Sequence, residues 1–196
     1  MPGRGAALGS RRVADALALA LRVHDGQLRK DGRTPYIVHP LGVLRHLVSD
    51  LGVVDEELAC VAVLHDVLED TPTTPAQLRR AVGARVARLV ESLTLPPGLH
   101  GESVAGEAKT RRLVADARSI PWEAVLVKLC DRWDNLRDVA NAPWGVAKRA
   151  YYARQTHALV ATISQRLRTD PPPPKWRAPV ERALREVRKA SRTAFS

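Results

Sequence analysis

The feature that most constrains the fold is residues 58–68, LACVAVLHDVL, which are apolar on nearly every side of a helix. Such a helix belongs in a core, covered by other elements. A histidine and three acids crowd its C-terminal end: His65, Asp66, Glu69 and Asp70. At helical spacing, His65 lies one turn from Glu69 and Asp66 lies one turn from Asp70.

This crowding of charge has two interpretations. Three neighbouring carboxylates repel one another and oppose the helix dipole, and burying them without a counterion costs several kcal/mol. A bound cation, with His65 and Asp66 as adjacent ligands, would remove that cost. A helix end frayed into water, with its acids hydrated, would also remove it. This helix alone leaves both interpretations open.

The apolar pattern is helical nearly throughout the chain and nowhere shows sustained strand alternation, which predicts an all-α fold. The expected helices cover residues 11–24, 40–51, 55–70, 74–83, 84–95, 107–118, 121–139, 145–168 and 179–191. Residues 25–36 and 96–106 contain glycine and proline and are expected to form loops.

The length of 196 residues fits one domain with an appendage. We predict a flexible N-terminus (1–10), one domain (11–169), a stiff proline linker (170–176) and a basic C-terminal helix (177–196). Val180, Leu184 and Val187 form an apolar stripe along that last helix.

The net charge of +10 is concentrated at the C-terminal end, where residues 171–196 carry seven basic and two acidic side chains. A polyanion could be attracted to this segment, but charge alone specifies no partner. We expect the apolar stripe of the last helix to pack on the same domain or on another subunit, in preference to binding nucleic acid.

Membrane and secretory classes are disfavoured. No apolar run reaches the roughly 18 residues of a membrane-spanning helix, and the N-terminus lacks the apolar block of a secretory signal. Cys60 and Cys130 form neither a disulfide framework nor a CxxC pair, and both lie in apolar stretches, as buried free thiols do. We therefore expect a cytoplasmic protein without a membrane partner.

Two further segments strengthen the cation interpretation. Residues 35–40, PYIVHP, place His39 at the mouth of a helix, and residues 125–130, VLVKLC, lead into Asp131. Asp131 lies one turn before Asn135. Alone, either His39 or Asp131 would be an ordinary structural or surface residue. Together with residues 65–66 they produce the order H…HD…D.

Three blocks carry that order: HDGQLRKDGRTPYIVHPLGV (24–43), VAVLHDVLEDTPTT (61–74) and VKLCDRWDNLRDV (127–139). They resemble the HD superfamily of metal-dependent phosphohydrolases, and within it the alarmone hydrolases of Rel/Spo type and their stand-alone relatives. The resemblance implies an HD-domain helical bundle, here with an extra C-terminal amphipathic helix.

The resemblance also implies roles for particular residues. The implied metal ligands are His39, His65, Asp66 and Asp131, which would hold one divalent ion, usually Mn²⁺ in this family. The implied acids near the attacking water are Glu69 and Asp70. The implied substrate-binding residues are Arg29 and Lys30 at the nucleotide or its phosphates, Asn135 beside the nucleoside, and Lys109, Arg112 and Tyr151 at the phosphate end. His24 is expected to be structural.

The donor chemistry agrees with these roles. Two imidazoles and two carboxylates suit a divalent first-row metal better than calcium, and no thiolate biases the site to zinc. Such an ion lowers the pKa of bound water, and Glu69 or Asp70 could accept the proton of that water.

The expected activity is removal of the 3′-diphosphate from guanosine 3′,5′-bis(diphosphate), ppGpp or pppGpp, to yield GDP or GTP and pyrophosphate. The expected partner is thus a small nucleotide. Two alternatives stay open: hydrolysis of another phosphorylated nucleotide such as NADPH, and a non-catalytic binding module that uses its basic tail. A homo-oligomer is also left open.

Overall fold

The computed structural model describes residues 9–99, 106–139 and 142–195. Within these ranges the regular elements are helices, and the one β-type pairing is an isolated bridge between Leu28 and Pro35, which confirms the all-α prediction. Residues 1–8 of the predicted flexible N-terminus lie outside the described part. The chain divides into two compact units, Met1–Thr94 and Leu95–Ser196.

The first unit is built around one buried helix. Its elements are α1 (Arg11–Val23), α2 (Val38–Arg45) with a π-helical turn (His46–Asp50), α3 (Glu56–Leu64), α4 (Val67–Asp70), α5 (Pro75–Val82) and α6 (Ala84–Leu93). Every residue of α3 from Leu58 to Leu64 is buried, and α1, α2 and α6 pack against it. This confirms that the apolar stretch forms the core.

The core helix ends earlier than expected. We predicted one helix to residue 70, but α3 stops at Leu64, and Asp66 is the residue that precedes α4. The continuous helix was therefore a wrong prediction. The break has a physical reason: three carboxylates in the last turn would oppose the dipole of a long helix, whereas in α4 the acids Glu69 and Asp70 belong to a separate single turn.

Local interactions fix the start of α3 and both ends of α5. The Asp55 carboxylate accepts the Leu58 N–H at 3.0 Å, at the start of α3. Thr74 and Gln77 form a capping box at the start of α5, and Gly83 ends that helix with φ +89°.

The second unit contains a 3₁₀ turn (Pro97–Leu99), α7 (Gly106–Ser119), α8 (Trp122–Asp138), α9 (Val146–Thr169) and α10 (Pro174–Phe195). Within this unit α10 packs on α8 and α9, and α7 packs on α9. The stripe Val180, Leu184 and Val187 is buried. The C-terminal helix thus packs on its own chain, which is one of the two packing arrangements that we expected.

The last helix is longer than expected at its N-terminal end. Residues 174–176, which we assigned to the proline linker, are helical, and Trp176 among them is 4% exposed. Proline is favoured at a first helical position, so Pro174 can begin the helix rather than prevent it.

Cys60 and Cys130 are buried free thiols, as predicted. Among the described residues, no helix has both the length and the apolar character that crossing a bilayer requires.

Candidate metal centre

His65 follows the last residue of α3 and is held by its own helix. Its Nδ1 lies 2.8 Å from the carbonyl oxygen of Ala62. A carbonyl can only accept, so Nδ1 carries the proton and Nε2 of the neutral ring presents a lone pair. A backbone partner of this kind orients histidines that bind metal ions.

Three potential ligand atoms converge in the first unit. Nε2 of His65 lies 3.3 Å from Nε2 of His39 and 3.0 Å from Oδ2 of Asp66. The distance from His39 Nε2 to Asp66 Oδ2 is 3.5 Å. Both histidines are buried, and Asp66 is largely shielded from solvent.

These distances fit one divalent ion. A first-row ion with bonds of about 2.1 Å and bond angles of about 90–110° separates its donor atoms by about 3.0–3.4 Å. Two imidazole nitrogens and a carboxylate oxygen are also the donors that such an ion prefers. The geometry and the donor chemistry therefore agree.

The electrostatics favour an ionised Asp66. Burial opposes its charge, but the charge and the hydrogen bonds of the His65 and His39 rings, when these carry a proton on Nε2, outweigh burial and hold the pKa of this carboxyl well below its ordinary value. The carboxylate is thus ready to bind a cation at neutral pH.

Tyr36 joins Asp66 to Asp70. Its hydroxyl lies 2.6 Å from Oδ2 of Asp66 and 2.7 Å from Oδ2 of Asp70. Burial and the two neighbouring carboxylates raise the pKa of Tyr36, so the phenol keeps its proton. Burial and the charge of Asp66 raise the pKa of Asp70. An acid of raised pKa beside a metal site can accept a proton from water.

The other candidates of the first unit are Arg29 and Lys30, in the loop before α2, and Glu69. Arg29 is 7% exposed, and its guanidinium carbon lies 5.6 Å from the centroid of the Tyr36 ring. Lys30 is exposed, and Glu69 is half-buried on α4. The loop turns at Asp31, whose carboxylate accepts the backbone N–H of Arg33 and of Thr34, each at 2.9 Å.

Two candidates lie together on α8 in the second unit. The half-buried Asp131 accepts a hydrogen bond from the side-chain amide of Asn135, one turn later. Lys128 Nζ lies 3.9 Å from the other carboxylate oxygen of Asp131. Asp131 is thus oriented by neighbours on its own helix.

The remaining candidates lie on α7 and α9. Lys109 and Arg112 are half-buried, and Arg112 Nε donates to Asp116 at 2.7 Å. The Tyr151 hydroxyl donates to the Gly106 carbonyl at 2.8 Å. A Cβ at Gly106 would approach the Tyr151 ring to 2.5 Å, so glycine is needed for this contact.

The structure thus brings His39, His65, Asp66 and Asp70 together in the first unit, while the predicted roles of all the candidates stay predictions. Sequence reasoning missed Tyr36. A single tyrosine in a loop belongs to no periodic pattern, and its partners lie 30 and 34 positions away. The sequence feature that could have indicated Tyr36 is its position three residues before His39. His24 packs against Tyr36, in agreement with a structural role.

Comparison with known proteins finds a matching family and several similar proteins. Residues 16–169 match the HD domain family. The human protein named guanosine-3′,5′-bis(diphosphate) 3′-pyrophosphohydrolase MESH1 is 39% identical over 130 residues, which cover 65% of this chain and 69% of that protein. The guanosine-3′,5′-bis(diphosphate) 3′-pyrophosphohydrolase of Aquifex aeolicus is 36% identical over 157 residues, which cover 79% of this chain but only 21% of that protein.

A solved structure has a similar fold. It is described as a metazoan ortholog of SpoT that hydrolyzes ppGpp and plays a role in starvation responses. The superposition has a TM-score of 0.73 at 26% sequence identity, and it covers 90% of this chain and 96% of that chain.

Proposed function

Because the chain belongs to the HD domain family, we propose that it is a metal-dependent hydrolase that removes the 3′-diphosphate from ppGpp or pppGpp. One water is consumed, and the products are GDP or GTP and pyrophosphate. The observation that carries this proposal is the spacing of 3.0 to 3.5 Å among the donor atoms of His39, His65 and Asp66. The names of the human and Aquifex relatives support the choice of substrate.

The HD domain implies a divalent metal ion, and the donor set fits one. We propose a single Mn²⁺, with Asp131 of α8 as the fourth protein ligand. When bound, the ion would lower the pKa of a water molecule and polarise a phosphate oxygen.

The acids of α4 take the proton role in this proposal. Asp70 accepts the proton of the attacking water, since burial and the Asp66 charge raise its pKa toward the range of a useful base. Glu69, half-buried beside it, is the second acid of the pair. Tyr36 holds Asp70 at a fixed position relative to Asp66.

The basic and polar candidates bind the substrate in this proposal. A nucleotide with two diphosphates is strongly anionic, so its affinity depends on arginine and lysine hydrogen bonds. We assign Arg29 and Lys30 to the nucleotide and its phosphates, and Asn135 to the nucleoside. Lys109, Arg112 and Tyr151 are assigned to the phosphate end. The reducing cytoplasm is the proposed compartment, in keeping with two buried free thiols.

The test is turnover by the purified protein with Mn²⁺ and ppGpp, followed by ion-exchange separation of GDP and detection of pyrophosphate. We expect both products in equal amounts, and no products from Asp66→Ala. Asp15→Ala is the matched control, because Asp15 is an exposed acid of α1 that pairs only loosely with Arg11 at 3.8 Å.

A second arm presents ppGpp and NADPH together. Preferential consumption of ppGpp supports the proposed substrate, whereas preferential loss of the NADPH phosphate would reassign the substrate and retain the metal chemistry. Full activity of Asp66→Ala would refute the metal site itself.

A further inference from the structure

The Tyr36 hydroxyl contacts both a proposed metal ligand, Asp66, and the proposed base, Asp70. The Asp66 oxygen that it contacts, Oδ2, is the same atom that faces the two histidine nitrogens. We propose that Tyr36 is a positioning residue that orients Asp66 toward the metal and Asp70 toward the water. This inference rests on the proposed function of the metal site.

Neighbouring residues hold the ring of Tyr36 in place. The His24 ring stacks on it with centroids 4.7 Å apart and planes 28° apart, and the Arg29 guanidinium also contacts it. The Tyr36 backbone N–H donates to the Gln27 carbonyl at 2.9 Å. The direction of the hydroxyl is therefore fixed before any ligand binds, as a site with precise geometry requires.

The loop before α2, which carries Tyr36, also holds the backbone of Asp70. The Gln27 side-chain amide donates to the Asp70 carbonyl at 2.8 Å, and its oxygen lies 2.8 Å from His24 Nδ1. Asp70 is thus held by its side chain through Tyr36 and by its main chain through Gln27. Two independent contacts determine where its carboxylate can lie.

His24, whose ring stacks on Tyr36, is 3% exposed. Its Nδ1 donates to the Gln27 oxygen, so Nε2 of the neutral ring is an acceptor, and this atom is buried without a hydrogen-bond partner among the described residues. A buried polar atom left unpaired lowers stability. His24 is therefore placed for its stacking on Tyr36 and its bond to Gln27 rather than for complete pairing of its own atoms.

The Tyr36 hydroxyl has only one proton to donate. Tyr36 can donate fully to Asp66 or to Asp70, but not to both at once. The three oxygens therefore form a chain in which the position of one carboxylate depends on the other. Removing the hydroxyl leaves the ring and its stacking in place but separates the ligand carboxylate from the base.

The test is Tyr36→Phe, with Mn²⁺ affinity measured by calorimetry in the absence of nucleotide. Partners of metal ligands typically change affinity by about 10–100-fold, so we expect the dissociation constant for Mn²⁺ to rise by about that factor. At saturating Mn²⁺ we expect kcat for ppGpp to fall by about 10-fold or more while KM stays within about twofold, because Tyr36 orients groups of the reaction and not the nucleotide.

Tyr152→Phe is the matched control. Tyr152 also packs on an aromatic ring, that of Trp144 with centroids 5.2 Å apart, and on a guanidinium, that of Arg132 at 4.2 Å. It loses the same hydroxyl, so we expect unchanged Mn²⁺ affinity and kcat. Gln27→Ala is the second variant, and it should lower kcat with a smaller change in Mn²⁺ affinity, since Gln27 contacts Asp70 and not Asp66.

The outcomes separate this inference from the proposed function. A wild-type protein that hydrolyses ppGpp, together with a Tyr36→Phe variant of equal kcat and Mn²⁺ affinity, overturns the inference alone. A wild-type protein that binds Mn²⁺ but does not hydrolyse ppGpp overturns the proposed function, and the Mn²⁺ affinity of Tyr36→Phe still decides the role of Tyr36. A wild-type protein that binds no Mn²⁺ overturns both.

Discussion

The candidate residues of the two units are held in different ways. In the first unit the contacts are long-range: His39 meets His65 across 26 positions, and Tyr36 meets Asp66 across 30. In the second unit the contacts of two candidates are local: Arg112 donates to Asp116, and Asn135 donates to Asp131, each pair one turn apart on one helix. Tyr151 differs from them, because its hydroxyl donates to Gly106 across 45 positions. The donor atoms of the first unit are thus brought together by tertiary packing, whereas Arg112 and Asn135 contact neighbours on their own helices.

This difference indicates different tasks. Metal coordination needs donor atoms held to within about 0.5 Å, which long-range contacts in a packed core can provide. Ion pairs one turn apart on a helix surface contribute only about 0.3–0.5 kcal/mol, so their members can exchange partners for a phosphate at little cost. We therefore expect the metal site to exist before substrate binds and the contacts to phosphate to form on binding.

Asp131→Ala should have the largest effect, because Asp131 is the metal ligand that we assign to the second unit. Loss of an outer partner lowers metal affinity about 10–100-fold, and loss of a ligand should exceed that. We expect Mn²⁺ affinity and the rate of pyrophosphate release each to fall by more than about 100-fold.

Asp138→Ala is the control for that change, since Asp138 is an exposed acid at the end of the same helix. Calorimetry and a pyrophosphate assay measure the two quantities. If Asp131→Ala keeps the affinity of the wild type, then the first unit holds the ion unaided and the contrast between the units is complete.

The second prediction tests whether the core helix supports the metal centre. Leu64 is the last residue of α3, is fully buried and precedes His65. Leu64→Ala should lower the free energy of unfolding by about 2–5 kcal/mol, from lost burial and the cavity that remains. Leu21→Ala, at a position 54% exposed, should change it by no more than about 0.5 kcal/mol.

Urea unfolding measures both variants. Equal changes in the free energy of unfolding for Leu64→Ala and Leu21→Ala would mean that burial of α3 does not determine the stability of the first unit. If Leu64→Ala loses much of the free energy of unfolding but keeps its Mn²⁺ affinity, then the metal ligands tolerate movement at the end of α3.

Helix α3 was predictable because a segment apolar on all sides has one stable environment, the interior. The acids that follow it indicated a bound cation, because burying carboxylates without a counterion costs free energy. The apolar stripe of α10 was predictable from its 3.6-residue spacing. In each case the information lies within one short stretch of sequence.

The features that escaped prediction depend on contacts between distant segments or on competing local preferences. The bridge from Tyr36 to Asp66 and Asp70 requires the loop to pack on α4, which no pattern in the loop reveals. The break at residues 65–66 opposes a favourable helical pattern. At Pro174, the proline run suggested a linker, whereas the burial of Trp176 favours a helix.

Two neighbouring arginines of α7 differ in their surroundings, and their variants should differ in substrate affinity. Arg112 is half-buried and proposed to bind phosphate, whereas Arg111 is 73% exposed in its side chain and pairs with Glu107 at 3.7 Å. A hydrogen bond to a charged group contributes about 1.5–3 kcal/mol, so Arg112→Ala should raise KM for ppGpp by about 10-fold or more.

Arg111→Ala should leave KM within about twofold, since exposed ion pairs contribute little. Steady-state kinetics at saturating Mn²⁺ measures both. Equal KM values for the two variants would remove Arg112 from the substrate-binding set, and its ion pair with Asp116 would then be a structural contact of α7.

The smallest effect is expected in the loop that carries Arg29 and Tyr36 into the first unit. Hydrogen bonds from the Thr34 hydroxyl and from the backbone N–H groups of Thr34 and Arg33 lower the pKa of Asp31 to about 2, from an ordinary value of 3.8. A carboxyl whose pKa is depressed by folding adds stability above its unfolded pKa and loses that contribution as the pH falls through the folded value. Asp31→Asn should therefore lower Tm slightly at about pH 6, and the difference from the wild type should be much smaller at about pH 2. Thermal melts at both pH values measure it. A difference that persists at low pH would show that the shape of the side chain, and not its charge, fixes the loop, and the long-range contacts of Tyr36 would then depend on packing alone.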